Sequence, residues 1–164
     1  MKSIGIDPGL AATGVGIVVG RETTIEAYSF GSIETSPDMP LPGRLARIYE
    51  RLGELLEAER PDLMVVEDVF SLPRYPKSGI LLGKVIGVIL LAGSRQNIPV
   101  LEVPVREAKQ LLSGNGNAGK EQLELAVRHL LRHPGPIRPD HASDAMALAI
   151  IGQFRYGNGS AFSS

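Results

Sequence analysis

At 164 residues, 43% hydrophobic and only 5% aromatic, the chain has the composition of one aliphatic globular unit with a core of its own. It has no cysteine, which excludes disulfides, thiolate metal sites and cysteine nucleophiles and fits a reducing cytoplasm. The formal net charge of −1 hides an asymmetry: residues 1–70 hold 6 Lys/Arg against 12 Asp/Glu, whereas residues 71–138 hold 10 against 4, so the basic middle suits an anionic partner.

Met1-Lys2 leads straight into apolar sequence, with no secretory leader expected. Ser3–Asp7, Gly14–Val19 and Thr24–Ile33 read as three strands, the last two joined by a turn at Gly20-Arg21-Glu22. Pro42 to Arg60 reads as an amphipathic helix, because Leu45, Ile48, Leu52, Leu55 and Leu56 recur at three- and four-residue spacing. After Pro61, the apolar run from Asp62 to Phe70 reads as a strand covered on both faces. A loop is expected from Ser71 to Gly79, kept non-helical by Pro73 and Pro76.

The next helix is expected from Gly79 to Gln96. Its most apolar stretch, Ile80 to Ala92, is short for a bilayer and carries Lys84. Gly79, Gly83 and Gly87 share one face, which predicts close approach either to this chain's own sheet or to a second subunit. Then follow a strand over Pro99–Val105, a short helix over Arg106–Leu112, a turn-rich loop over Ser113–Gly119, a helix over Lys120–Arg132, and a last helix over Asp140–Phe154. The tail from Gly157 to Ser164 has little to bury and is expected to be disordered, leaving a single domain over residues 1–156. Strands in a row, then strands alternating with helices, predict an α/β fold: a five-stranded mixed sheet flanked by helices.

Acidic and imidazole side chains stand at strand ends and a helix start. Asp7 closes the first strand before Pro8-Gly9, Glu67 follows Met64-Val65-Val66, and His141 and Asp144 open the last helix after Pro139-Asp140. Desolvating unpaired carboxylates is costly, so acids converging there call for a cation. Strand alternation sends Glu67 and Asp68 opposite ways; Glu67 is favoured as ligand over a structural salt bridge, and Asp68 as a solvated or capping acid. His141 and Asp144, three apart, share a helix face, while Asp140 suits an N-cap but remains an alternative ligand with Asp144. His129 and His133 are expected at the surface or facing DNA. Three carboxylates and one imidazole suit Mg²⁺ or Mn²⁺, and two such ions support in-line attack on phosphorus.

The order of three blocks, Gly5-Ile6-Asp7-Pro8-Gly9 with Thr13-Gly14, Val66-Glu67-Asp68-Val69-Phe70, and Pro139 to Ile150, resembles the RuvC family of Holliday junction resolvases within the ribonuclease H-like superfamily. The resemblance implies a ribonuclease H-like fold and a metal-dependent endonuclease. Its metal and catalytic positions would be Asp7, Glu67, His141 and Asp144, with two ions per subunit; many members carry Asp where this chain has His141. It implies a homodimer that nicks a four-way DNA junction symmetrically in recombination and repair, working with a branch-migration helicase complex. It also implies DNA contacts at Phe70, which would stack on an unpaired base, and at Lys109 and Lys120 near the scissile phosphate. Arg74 and Lys77 belong to a proline-containing loop that departs from the family's commoner pattern and is a further candidate DNA contact. The competing readings are a nuclease of the same fold acting on structured RNA, an actin-like nucleotide-binding domain, for which the chain has no room for a second lobe, and a DNA-binding module without catalysis.

Overall fold

The computed structural model describes residues 1–68 and 76–157. In chain order the elements are β1 (Lys2–Asp7), β2 (Ala12–Arg21), β3 (Thr24–Glu34), α1 (Leu41–Glu59), β4 (Leu63–Asp68), α2 (Pro76–Arg95), β5 (Val100–Pro104), α3 (Val105–Ser113), α4 (Lys120–Leu131) and α5 (Asp140–Tyr156). The sheet runs β3-β2-β1-β4-β5. The first three strands meander antiparallel, and β4 and β5 join parallel to β1. This is the mixed five-stranded sheet expected from the sequence.

Strand alternation builds two cores. Ile4, Ile6, Met64 and Val66 face α1 and α2, where Ile48, Leu52, Leu56, Val85 and Ile89 are buried against them. Leu63, Val65 and Val103 face the other way, onto α3, α4 and α5 through Leu123, Val127, Met146 and Leu148. The α5 helix lies unusually close to the sheet. A Cβ added at Gly5 would overlap backbone of Ala145 and Ala149, one at Gly14 would overlap backbone of His141, and one at Gly16 would meet the Met146 backbone at 2.7 Å. Glycines that look like breakers inside β1 and β2 are therefore the seat of α5.

Two expectations are corrected. The helix α2 starts at Pro76 rather than Gly79, since proline's fixed φ and missing N–H suit a first turn. At 20 residues it is also longer than the apolar stretch read from sequence, and by length and composition it is long enough to cross a membrane. Its Val85, Ile89 and Ala92 are instead buried in the core with α1. The expected tail, together with Phe70 and Arg74, lies outside the described residues, save for Gly157, which follows α5.

Candidate metal centre

The parallel pair β1 and β4 ends at one sheet edge, so Asp7 and Glu67 emerge side by side. The helix α5 crosses the same edge because Gly14, the partner of Asp7 across β1 and β2, admits its first turn. That turn carries His141 and Asp144. The Nδ1 of His141 lies 2.6 Å from Oδ2 of Asp7, and a further hydrogen bond joins Glu67 to Asp7. With Asp7 as the carboxylate acceptor, both partners donate, and His141 Nε2 has no hydrogen-bond partner among the described residues.

The electrostatics show how tightly the acids are grouped. Asp7 is only 6% exposed. Burial raises its carboxyl to about 6; the Glu67 hydrogen bond opposes this, and the charge of Asp144 adds to it. Glu67 is pushed further, to about 8, by burial and by its bond and repulsion with Asp7. Burial raises Asp144 as well, against the charges of Lys120, His141 and Lys109. Both family-implied lysines therefore stand near the acids. Lys77, exposed in the first turn of α2, is not among the groups that shift them.

Among the described residues no three of these groups surround a common point at ligating distance. Asp7 is occupied by His141 and Glu67 instead. The donor set still suits a hard divalent cation: the three carboxyls, with Asp7 buried and Glu67 and Asp144 half-buried, repel one another and lack the positive charge that would let all of them ionise, and the imidazole adds a fourth donor.

A stability prediction follows from these shifts. The folded carboxyls hold protons that the unfolded chain releases near the ordinary values of 3.8 and 4.5. The metal-free protein therefore loses stability as pH rises from about 4.5 towards 8. Melting temperatures in chelator should show the Glu67→Gln variant gaining on the parent across that range, by up to a few kcal/mol on the order-of-magnitude scale of 1.4 per unit. A constant difference between the two would contradict the burial argument.

The loop after Asp7 is pinned through its carbonyls. Thr13 Oγ1 donates to Gly9 O at 2.8 Å, Thr35 Oγ1 to Leu10 O at 2.5 Å, and the Thr35 N–H to Ala11 O at 3.0 Å. Thr35 was not legible as a site residue, because its partners in this loop, Leu10 and Ala11, lie over twenty positions away.

Two local roles differ from expectation. Asp140 is not the N-cap: the cap position is Pro139, with no side-chain cap bond, and Asp140 is the first helical residue, its carboxylate paired with Arg138. His133 is not a free surface group, since its Nδ1 lies 2.8 Å from Tyr28 Oη and its ring packs edge-on against Phe30. His129 is exposed, as expected. Asp68, next to Glu67, instead lines a groove along α2 with Gly79, Gly83 and Gly87.

Comparison with known proteins agrees with this geometry. A family model described as "Crossover junction endodeoxyribonuclease RuvC" matches residues 3–152. A protein of that name from Carboxydothermus hydrogenoformans is 38% identical over 157 residues, covering 96% of this chain and 98% of its own. Another from Thermomicrobium roseum is 37% identical, covering 95% and 94%. The solved structure of T. thermophilus RuvC in complex with Holliday junction substrate superposes with a TM-score of 0.88 at 33% identity, covering 96% of this chain and 95% of that one. With most of its length matched at this level, the chain belongs to the RuvC family of crossover junction endodeoxyribonucleases.

Proposed function

We propose that this protein is a metal-dependent endonuclease that resolves four-way DNA junctions by paired, symmetric nicks, in recombination and repair. The observation that carries the reading is the meeting of Asp7, Glu67, His141 and Asp144 at one sheet edge, beside Lys109 and Lys120. Family membership supports the substrate, through the relative solved on a Holliday junction. Asp7, Glu67, His141 and Asp144 would hold Mg²⁺ or Mn²⁺, two ions per subunit. Bound there, such ions supply an activated water and a stabilised leaving oxygen. The protein's own part is positional: β1, β4 and α5 fix the four donors, and the two lysines offset the repulsion between acids and phosphate.

We read the protein as a homodimer, which would set two identical sites on a nearly two-fold substrate. The outer face of α2 supports this. Added Cβ atoms at Gly79, Gly83 and Gly87 would meet nothing within 4 Å among the described residues, so packing among those residues does not explain them. Beside them Ile80 is 62% and Leu91 53% exposed. Gly83→Leu should keep the melting temperature yet halve the mass seen by sedimentation; an unchanged mass would place the interface elsewhere. Family resemblance alone supports a branch-migration helicase complex as partner. A cytoplasmic setting rests on the lack of cysteine.

The deciding experiment maps cleavage of a four-way junction, a flap and a structured RNA in Mg²⁺ and in Mn²⁺. Paired cuts in junction strands of like polarity are expected. Preference for the RNA would overturn the proposal.

A further inference from the structure

The helix α1 begins at the same sheet edge as the acids, because β3 ends there: Glu34 pairs with Ala12, two residues before the partner of Asp7. Its first two turns carry Arg44 and Arg47. Each is anchored by its Nε alone, Arg44 to Thr35 Oγ1 at 2.7 Å and Arg47 to the Glu34 carbonyl at 2.9 Å. Neither guanidinium has a carboxylate partner or any other acceptor among the described residues. Arg21, Arg60, Arg95, Arg106 and Arg132 also lack an ion pair among the described residues, so what sets Arg44 and Arg47 apart is the anchored Nε. Arg51, one turn on, pairs with Glu54 at 2.9 Å, and Arg128, Arg138 and Arg155 each face an acid.

Two cations three residues apart on a helix repel weakly. Holding each through Nε, on acceptors from the neighbouring residues Thr35 and Glu34, restrains both guanidinium groups and leaves their NH₂ groups to take an anion, which lowers the entropy lost when one is bound. A phosphodiester is the anion that such paired guanidinium forks suit. The nearby carboxylates of Glu34 and Asp38 are turned to Ser32 and Ser36. Arg44 is also tied to the metal loop, since the Thr35 hydroxyl that accepts from it donates to Leu10 O.

We propose that Arg44 and Arg47 form a second binding site for a backbone phosphate of the nucleic-acid substrate. It lies on the α1 side of the sheet edge, across from Lys109 and Lys120 on the α3 and α4 side. A strand crossing the acids is then gripped from both faces of the sheet. The proposal rests on the nuclease reading above and adds a phosphate anchor to it.

The test is binding of a fluorescent four-way junction in chelator, measured against salt. The pair of substitutions Arg44→Ala and Arg47→Ala should weaken binding about tenfold or more and make the log–log salt slope shallower by about 1–2, roughly one unit for each phosphate the protein no longer neutralises. Arg51→Ala, whose cation is already paired, should change neither. Arg44→Gln alone gives the same reading with a smaller change should the double variant fold poorly. In cleavage, KM should rise while kcat at saturating junction holds. Unchanged affinity and slope in a folded double variant would overturn the proposal. Failure of the parent protein to cut the junction would sink the substrate reading instead, and the same slopes measured on whichever nucleic acid it does cut would still decide the phosphate site.

Discussion

Asp7→Asn should remove junction cleavage in Mg²⁺ and Mn²⁺ alike, by about 10³-fold or more, as when one member of a catalytic unit is removed. Asp7 is the most buried of the acids and touches both His141 and Glu67, so it ties β1, β4 and α5 into one site. The amide keeps its size and can still hydrogen-bond, so the fold should survive. Without metal the variant should melt higher than the parent, because a desolvated carboxyl has been replaced by a neutral group. Added Mg²⁺ should raise the parent's melting temperature and leave the variant's nearly unmoved. Junction binding in chelator should hold or tighten, since one charge that repels phosphate has gone. A variant that still cuts would refute the metal mechanism. A parent whose melting is indifferent to Mg²⁺ and Mn²⁺ would refute the site itself.

Gly14→Ala should be among the most damaging single methyl groups the described residues can take. The new Cβ would overlap the backbone carbonyl of His141 and lie 2.9 Å from its Cβ. A side chain could swing away, but a helix backbone cannot, so α5 must lift off β2. Overpacking of this kind costs about 3 kcal/mol or more. For a chain of this size that lowers the melting temperature by roughly 6–12 °C. The same shift moves His141 and Asp144 relative to Asp7 and Glu67, so stabilisation by Mg²⁺ should fall along with folding stability. The comparison that isolates the cause is Gly53→Ala, which adds the same methyl group in α1 where no described residue lies within 4 Å. A Gly14→Ala protein that melts normally would mean α5 sits farther from β2 than described.

Asp7 and Glu67 were legible because a carboxylate directly after a buried apolar run stands out against its neighbours, and His141 and Asp144 because they stand three apart at a helix start. The two lysines became legible through family resemblance, and their place beside the acids is a matter of tertiary packing. What escaped reading depends on partners remote in sequence. Asp140 is the exception: it looked like a cap, and the Arg138 that pairs with its carboxylate lies only two residues earlier. His133 found Tyr28, 105 positions away. The strand read over Gly14–Val19 runs from Ala12 to Arg21, and that Gly14 and Gly16 in it receive α5 could not be read from spacing. No spacing rule connects Arg44 with Thr35 and the metal loop, because that chain of bonds forms only after β3 and α1 have folded back beside β1.

The dependence of the site on α5 has a consequence for biosynthesis. Half of the proposed donor set, His141 and Asp144, arrives only with α5, and the groove that receives it is cut into the first two strands. Until α5 emerges from the ribosome, the nascent chain displays a bare sheet face, and two of the four proposed donors are missing. A chain stalled or clipped before residue 140 would therefore lack the complete proposed site and, with Val65 and Val18 uncovered, be a target for chaperones and proteases.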